Sequence, residues 1–139
     1  MICFVDTSAL YAVLDRDDEN HLMARKAWGE LLGGNAVLVT TNYVLVESFA
    51  LMQHRLGMQA LRTFHDDVCP VLRVEWVDGA AHQAGVSGVL SANRKDLSLV
   101  DCVSFHVMRQ MGVQDVFAFD QHFVEQGFRC ITGQTRKQG

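Results

Sequence analysis

Five short runs rich in apolar and β-branched residues recur along the chain, each followed by a polar capping residue or a helix-forming stretch. They are Ile2–Val5 and residues 36–40, 71–76, 116–119 and 129–132. The runs do not alternate strictly between polar and apolar residues, as strands with one wet face would. That pattern predicts strands covered on both faces, which means a parallel sheet whose crossovers are helices. The intervening segments fit. Apolar residues at helical spacing predict helices over 9–14, 20–32, 43–56, 58–68, 80–92 and 99–111, with a short helix after Asp120. Gly33-Gly34, Gly57, Pro70 and Gly112 provide the stops, and Asp6, Thr41, Asp78 and Ser98 provide N-caps. The expected fold class is α/β, a three-layer α/β/α sandwich around a parallel five-stranded sheet.

At 139 residues, the chain reads as one domain over 1–134 with a polar tail over 135–139. A hydrophobic fraction of 49% against 20% charged excludes overall disorder. Twelve basic and sixteen acidic residues give a net charge of −4, which excludes a protein that coats nucleic acid non-specifically. Cys3, Cys69, Cys102 and Cys130 form no C-x-x-C pair, so a zinc or thioredoxin-like site lacks its signature. No apolar run approaches the ~18 residues of a membrane span. The N-terminus meets Asp6 without a basic segment, unlike a signal peptide. The expected location is the cytoplasm, with reduced thiols.

Ligands of open parallel sheets bind beyond the carboxyl ends of the strands. Asp6 ends the first strand and Asp120 follows the fourth. Glu47 falls in the second turn of the helix after strand two, and Asp101 in the first turn of the helix leading to strand four. Four carboxylates converging there would repel one another unless a cation sat among them. Oxygen donors suit Mg²⁺ or Mn²⁺, which points to phosphate-ester chemistry. A structural role competes for three of them. Asp6 and Asp120 suit N-caps, and Ser98-Leu-Val-Asp101 has the spacing of a capping box. Glu47, among Val44, Leu45, Val46, Phe49 and Ala50, has no Lys or Arg within four residues and needs a partner or an ion.

The segments carrying these acids are Phe4-Val-Asp-Thr-Ser-Ala-Leu10, Thr41-Asn-Tyr-Val-Leu-Val-Glu47, Leu97-Ser-Leu-Val-Asp-Cys-Val-Ser-Phe105 and Val116-Phe-Ala-Phe-Asp-Gln-His-Phe123. In this order, over nearly the whole chain, they resemble the PIN domain of VapC toxins from bacterial toxin–antitoxin pairs. The resemblance implies a Mg²⁺- or Mn²⁺-dependent endoribonuclease leaving 5′-phosphate and 3′-hydroxyl ends, often a homodimer, held inactive by a cognate antitoxin. It maps the family's acids, as catalytic and metal-binding residues, onto Asp6, Glu47, Asp101 and Asp120. Ser8 and Asn42 are expected to support the site by orienting carboxylates or water.

Other features are weaker. Cys102 and His106 stand four apart on one predicted helix, but nothing supplies an oxyanion hole for a thiol nucleophile. His122, two residues past Asp120, is a possible added ligand or a rim residue. Asp96, Arg94 and Lys95 read as loop surface, the two cations being near enough to meet RNA phosphates. A haloacid-dehalogenase-type phosphatase is the alternative enzyme, but Asp6-Thr7-Ser8 lacks the second acid of D-x-D. A catalytically silent RNA- or protein-binding module is the alternative outside enzymes. Leu14, Met23, Trp28, Met52 and Met58 are candidates for an antitoxin-binding groove.

Overall fold

The computed structural model describes residues 1–132; the expected tail over 135–139 lies outside the described residues. Strand β1 (Ile2–Val5) leads into α1 (Thr7–Leu14) and α2 (His21–Gly33). Strand β2 (Val37–Thr41) is followed by α3 (Asn42–Arg55) and α4 (Met58–Thr63). Strand β3 (Leu72–Glu75) is followed by α5 (Gly79–Ala92) and α6 (Leu99–Met111). Strand β4 (Asp115–Phe117), α7 (Gln121–Glu125) and β5 (Arg129–Cys130) complete the chain.

The sheet order is β3-β2-β1-β4-β5 with every pairing parallel. Central β1 carries Phe4 between Val39 and Val116, and all three are fully buried. The chain leaves β1 toward β2 and β3, then returns across β1 to β4. Right-handed crossovers in opposite directions put helices on both faces of the sheet. The order reverses between β1 and β4, and the crevice of such a sheet opens beyond the carboxyl ends of those two strands. The fold thus delivers Asp6 and Asp120 to one place. On one flank of the molecule α5 and α6 pack closely at Gly85, where a Cβ would stand 2.4 Å from Val103 Cγ2.

Several predicted boundaries move. Strand five, expected over 129–132, is among them, since it ends at Cys130. Three shifts have a visible cause. Strand four was expected over 116–119 but ends at Phe117, because the Phe119 N–H leaves the ladder to donate to Ser8 Oγ at 3.0 Å. The predicted helix over 58–68 is α-helical only to Thr63. It widens into a π turn over Phe64–Val68, which keeps Phe64 and Val68 buried, and then tightens into a 3₁₀ turn carrying Pro70. Val71 joins that turn, so β3 starts at Leu72, and as an edge strand it exposes Arg73.

Of the five residues offered for an antitoxin groove, Met52 is fully buried and so unavailable, Met58 is exposed, and Leu14, Met23 and Trp28 are half-buried, Trp28 stacking on Phe117 with ring centroids 6.2 Å apart. Apolar periodicity marks a buried helix face, and here most of that face was needed for the core. Among the described residues no helix is long and apolar enough to cross a membrane.

Candidate functional site

Asp6 occupies the last rung of the central strand pair, its N–H donating to Phe117 O at 3.0 Å. It also caps α1 from an extended backbone, so its side chain turns toward the start of the helix. Oδ2 accepts from Ser8 N–H at 3.1 Å and from Ser8 Oγ–H at 2.7 Å. Ser8 Oγ in turn accepts the Phe119 N–H. One hydroxyl therefore fixes the Asp6 carboxylate and the loop after β4 together.

Asp6 is only 3% exposed. Burial pushes its carboxyl up to about 7, the two Ser8 hydrogen bonds oppose that shift, and the charges of Asp101 and Glu47 add to it. Glu47 is half-buried and is raised first by burial, then by Asp101 and Asp120, against the Thr7 hydroxyl. Thr7 is itself buried and accepts from Ser48 Oγ at 3.2 Å, so this end of α3 is pinned to α1.

Asp101 sits where the capping pattern puts it. Its N–H donates to Ser98 Oγ at 3.0 Å and its Oδ2 accepts the Ser98 N–H at 3.1 Å, a complete capping box. The structural reading of this residue is thus correct, but it does not exhaust the side chain. Asp101 is 8% exposed, and its carboxyl is raised by burial and then by Asp120, against the Ser98 bonds. Asp120 caps α7 through Oδ1, which accepts the His122 N–H at 2.9 Å.

The structure thus brings the four predicted acids into mutual electrostatic range: Asp6 responds to Glu47 and Asp101, Glu47 to Asp101 and Asp120, and Asp101 to Asp120. Among the described residues the tightest group of donor atoms comprises Asp101, Asp120 and His122, all within 4.8 Å of one another. His122 Nδ1 lies 2.7 Å from Asp120 Oδ1 and 3.8 Å from Asp101 Oδ2. The approach to Asp120 is short but misaligned, and this buried nitrogen makes no hydrogen bond. Burial lowers the His122 pKa, but the hydrogen bond to Asp96 and the charges of Asp120, Asp101 and Asp96 outweigh it, so the net shift is upward.

Two residues read as loop surface also reach this site. Asp96 Oδ2 lies 3.2 Å from His122 Nε2. Arg94 grips both oxygens of Asp96, at 3.2 and 2.9 Å, and reaches Glu125 at 3.2 Å. Their partners lie on α7, about thirty residues away, so no local pattern announces them. Asn42 shares α3 with Glu47, but its Oδ1 accepts the Val77 N–H at 2.7 Å and ties α3 to the chain beyond β3. Burial and the Asp101 charge both raise the Cys102 thiol, the opposite of what a nucleophile paired with His106 requires.

The donor chemistry fits a divalent cation. Among the described residues no Lys or Arg pairs with any of the four carboxylates, two of which are buried, and an unbonded histidine nitrogen faces Asp101 and Asp120.

The PIN-domain sequence profile matches residues 3–129. The 23S rRNA-specific endonuclease VapC20 of Mycobacterium tuberculosis is 32% identical over 126 residues, spanning 90% of this chain and 94% of that protein. The crystal structure of Mycobacterium tuberculosis VapC20, a sarcin-ricin loop cleaving toxin, superposes with a TM-score of 0.84 at 31% identity, covering 95% of this chain and 99% of that one. VapBC2 from Rickettsia felis, solved bound to a promoter DNA fragment, shares the fold with a TM-score of 0.66 at 10% identity, covering 94% and 96% of the two chains. The haloacid-dehalogenase-type alternative has no support beside these matches.

Proposed function

Since the chain belongs to the PIN-domain family, we propose that it is a divalent-metal-dependent endoribonuclease and the toxin of a toxin–antitoxin pair. Asp6, Glu47, Asp101 and Asp120 would hold the cation, Mg²⁺ or Mn²⁺. The observation that carries this reading is the gathering of donor atoms from Asp101, Asp120 and His122 within 4.8 Å of one another, beside buried Asp6 and half-buried Glu47. Burial and the neighbouring acids raise Asp6, Glu47 and Asp101 in keeping with it. A fold that gathers acids at such cost, with no Lys or Arg paired to them among the described residues, gains by it when a cation completes the site. A silent binding module would have no use for that arrangement.

A bound divalent ion makes a water more acidic and neutralises charge developing on a phosphoryl oxygen. The chain's own residues prepare for that chemistry. Ser8 locks the Asp6 carboxylate through Oδ2 and leaves Oδ1 without a hydrogen bond among the described residues. The Ser98 capping box holds Asp101 in one rotamer through Oδ2. Thr7 opposes the upward shift of Glu47 and so helps keep it ionised. The carboxylates also repel an RNA backbone until a cation offsets them, so binding and cleavage should both require metal.

VapC20 is named for action on 23S rRNA, and we propose ribosomal RNA as this chain's substrate class. An antitoxin and a second copy of the chain are proposed as partners, and the cytoplasm as the location. The test is cleavage of intact ribosomes and purified ribosomal RNA with Mg²⁺, with Mn²⁺ and with EDTA. Discrete cuts that need a divalent ion, leaving 5′-phosphate ends, are expected. Equal cleavage in EDTA would remove the metal from the account, and no cleavage of either substrate with fresh metal would remove ribosomal RNA.

A further inference from the structure

We propose that His122 is a nitrogen ligand of the divalent ion, held in its ligating tautomer by Asp96, and that it biases the site toward Mn²⁺ over Mg²⁺. This rests on the metal-dependent reading above and extends it to residues outside the four acids.

The ring is placed as a ligating imidazole would be. Its Nδ1 is buried, makes no hydrogen bond, and lies 2.7 Å from Asp120 Oδ1 and 3.8 Å from Asp101 Oδ2. Metal–ligand bonds of roughly 2.1 Å put neighbouring donors of an octahedron about 3.0 Å apart and opposite donors about 4.2 Å apart. Both separations come close to that range, and all three donor atoms lie within 4.8 Å of one another. An ion pair explains the position less well. Asp120 Oδ1 already accepts the His122 backbone N–H at 2.9 Å, and the ring nitrogen approaches it out of line.

The other side of the ring carries the second half of the pattern. Nε2 faces Asp96 Oδ2 at 3.2 Å. A carboxylate there takes the Nε2–H and leaves the Nδ1 lone pair inward, the arrangement by which a protein fixes a metal-binding histidine. Asp96 is held in turn by Arg94 through Nε and Nη2, while Nη1 donates to Glu125 on α7. The loop between α5 and α6 is thereby tied to the helix that carries His122. A nitrogen donor among carboxylates favours Mn²⁺, which accepts imidazole more readily than Mg²⁺ does.

The experiment uses the full chain without RNA. Mn²⁺ is added and pulsed electron paramagnetic resonance is read for nitrogen coupled to the bound ion, with natural and ¹⁵N-histidine-labelled protein. The expected result is a nitrogen coupling that changes with the label and disappears in His122→Gln. Calorimetry should show Mn²⁺ binding weakened about tenfold or more in His122→Gln and in Asp96→Asn, with Mg²⁺ binding less affected. His122→Gln keeps the backbone N–H that Asp120 caps, so folding is checked by an unchanged melting temperature without metal. Acid-dependent Mn²⁺ uptake without histidine nitrogen would overturn this inference and leave the metal-dependent reading standing. Absence of acid-dependent Mn²⁺ uptake would remove that reading, and the ligand assignment with it.

Discussion

Asp6→Asn is expected to reduce metal-dependent RNA cleavage by at least about a thousandfold, the loss that follows when a principal electrostatic element of a reaction centre is removed. The same change should leave the metal-free protein at least as stable as the wild type at pH 8. Asparagine keeps a side-chain oxygen that can accept both Ser8 hydrogen bonds, so the α1 cap survives. It also removes a charge that burial, Asp101 and Glu47 all disfavour. Activity and stability should therefore move in opposite directions, which separates a cation ligand from a residue needed only for folding. Turnover of ribosomal RNA and thermal melting of the same preparations measure the two. A variant that cleaves normally, or one that loses activity by unfolding, would contradict the role assigned to Asp6.

The second large effect is a dependence of metal-free stability on pH that metal abolishes. Burial pushes the Asp6 carboxyl up to about 7 in the folded chain, against an ordinary value of 3.8. Between those values the folded protein keeps a proton that the unfolded chain has lost, so stability falls as pH rises across that window. The full effect is of order 4 kcal/mol, a large share of the 5–15 kcal/mol that holds a typical domain folded. Glu47 and Asp101 are raised too and slope the same way. His122 is raised as a base, so the stability it contributes is present at low pH and fades as it deprotonates, again in the same direction. Metal-free protein should melt roughly 10 °C lower at pH 8 than at pH 5. Saturating Mn²⁺ should recover most of the loss at pH 8 and little at pH 5, where protons compete for the ligands. Melting curves at both pH values, with and without Mn²⁺, test this. A metal-free melting temperature that rose with pH would contradict it.

The sheet and the positions of the acids were legible for the same reason. Buried parallel strands need unbroken apolar residues, and the polar residue that ends each run falls at the carboxyl edge, where ligands collect. Asp6, at the end of Ile2–Val5, shows this directly. Glu47 was legible as an acid in apolar company, and Asp101 by its spacing from Ser98. Contacts between distant segments were not legible. The Ser8 bond to Phe119, across 111 residues, shortens β4 and stiffens the Asp6 carboxylate, yet no pattern in either segment predicts it. The same holds for Asp96 and Arg94, whose loop looks like solvated surface until α7 is set against it. His122 stood in between. Its place two residues after a capping Asp hinted at the site, but the direction of its ring depends on that loop.

The central claim is that the side chains at 6, 47, 101 and 120 form one cation site. Anomalous diffraction from crystals soaked in Mn²⁺, recorded on both sides of the manganese absorption edge, tests it most directly. The account predicts a manganese peak bounded by those four carboxylates, present in wild-type crystals and lost in Asp6→Asn. Crystals with no manganese among these side chains at saturating Mn²⁺, or with the metal bound elsewhere, would contradict it.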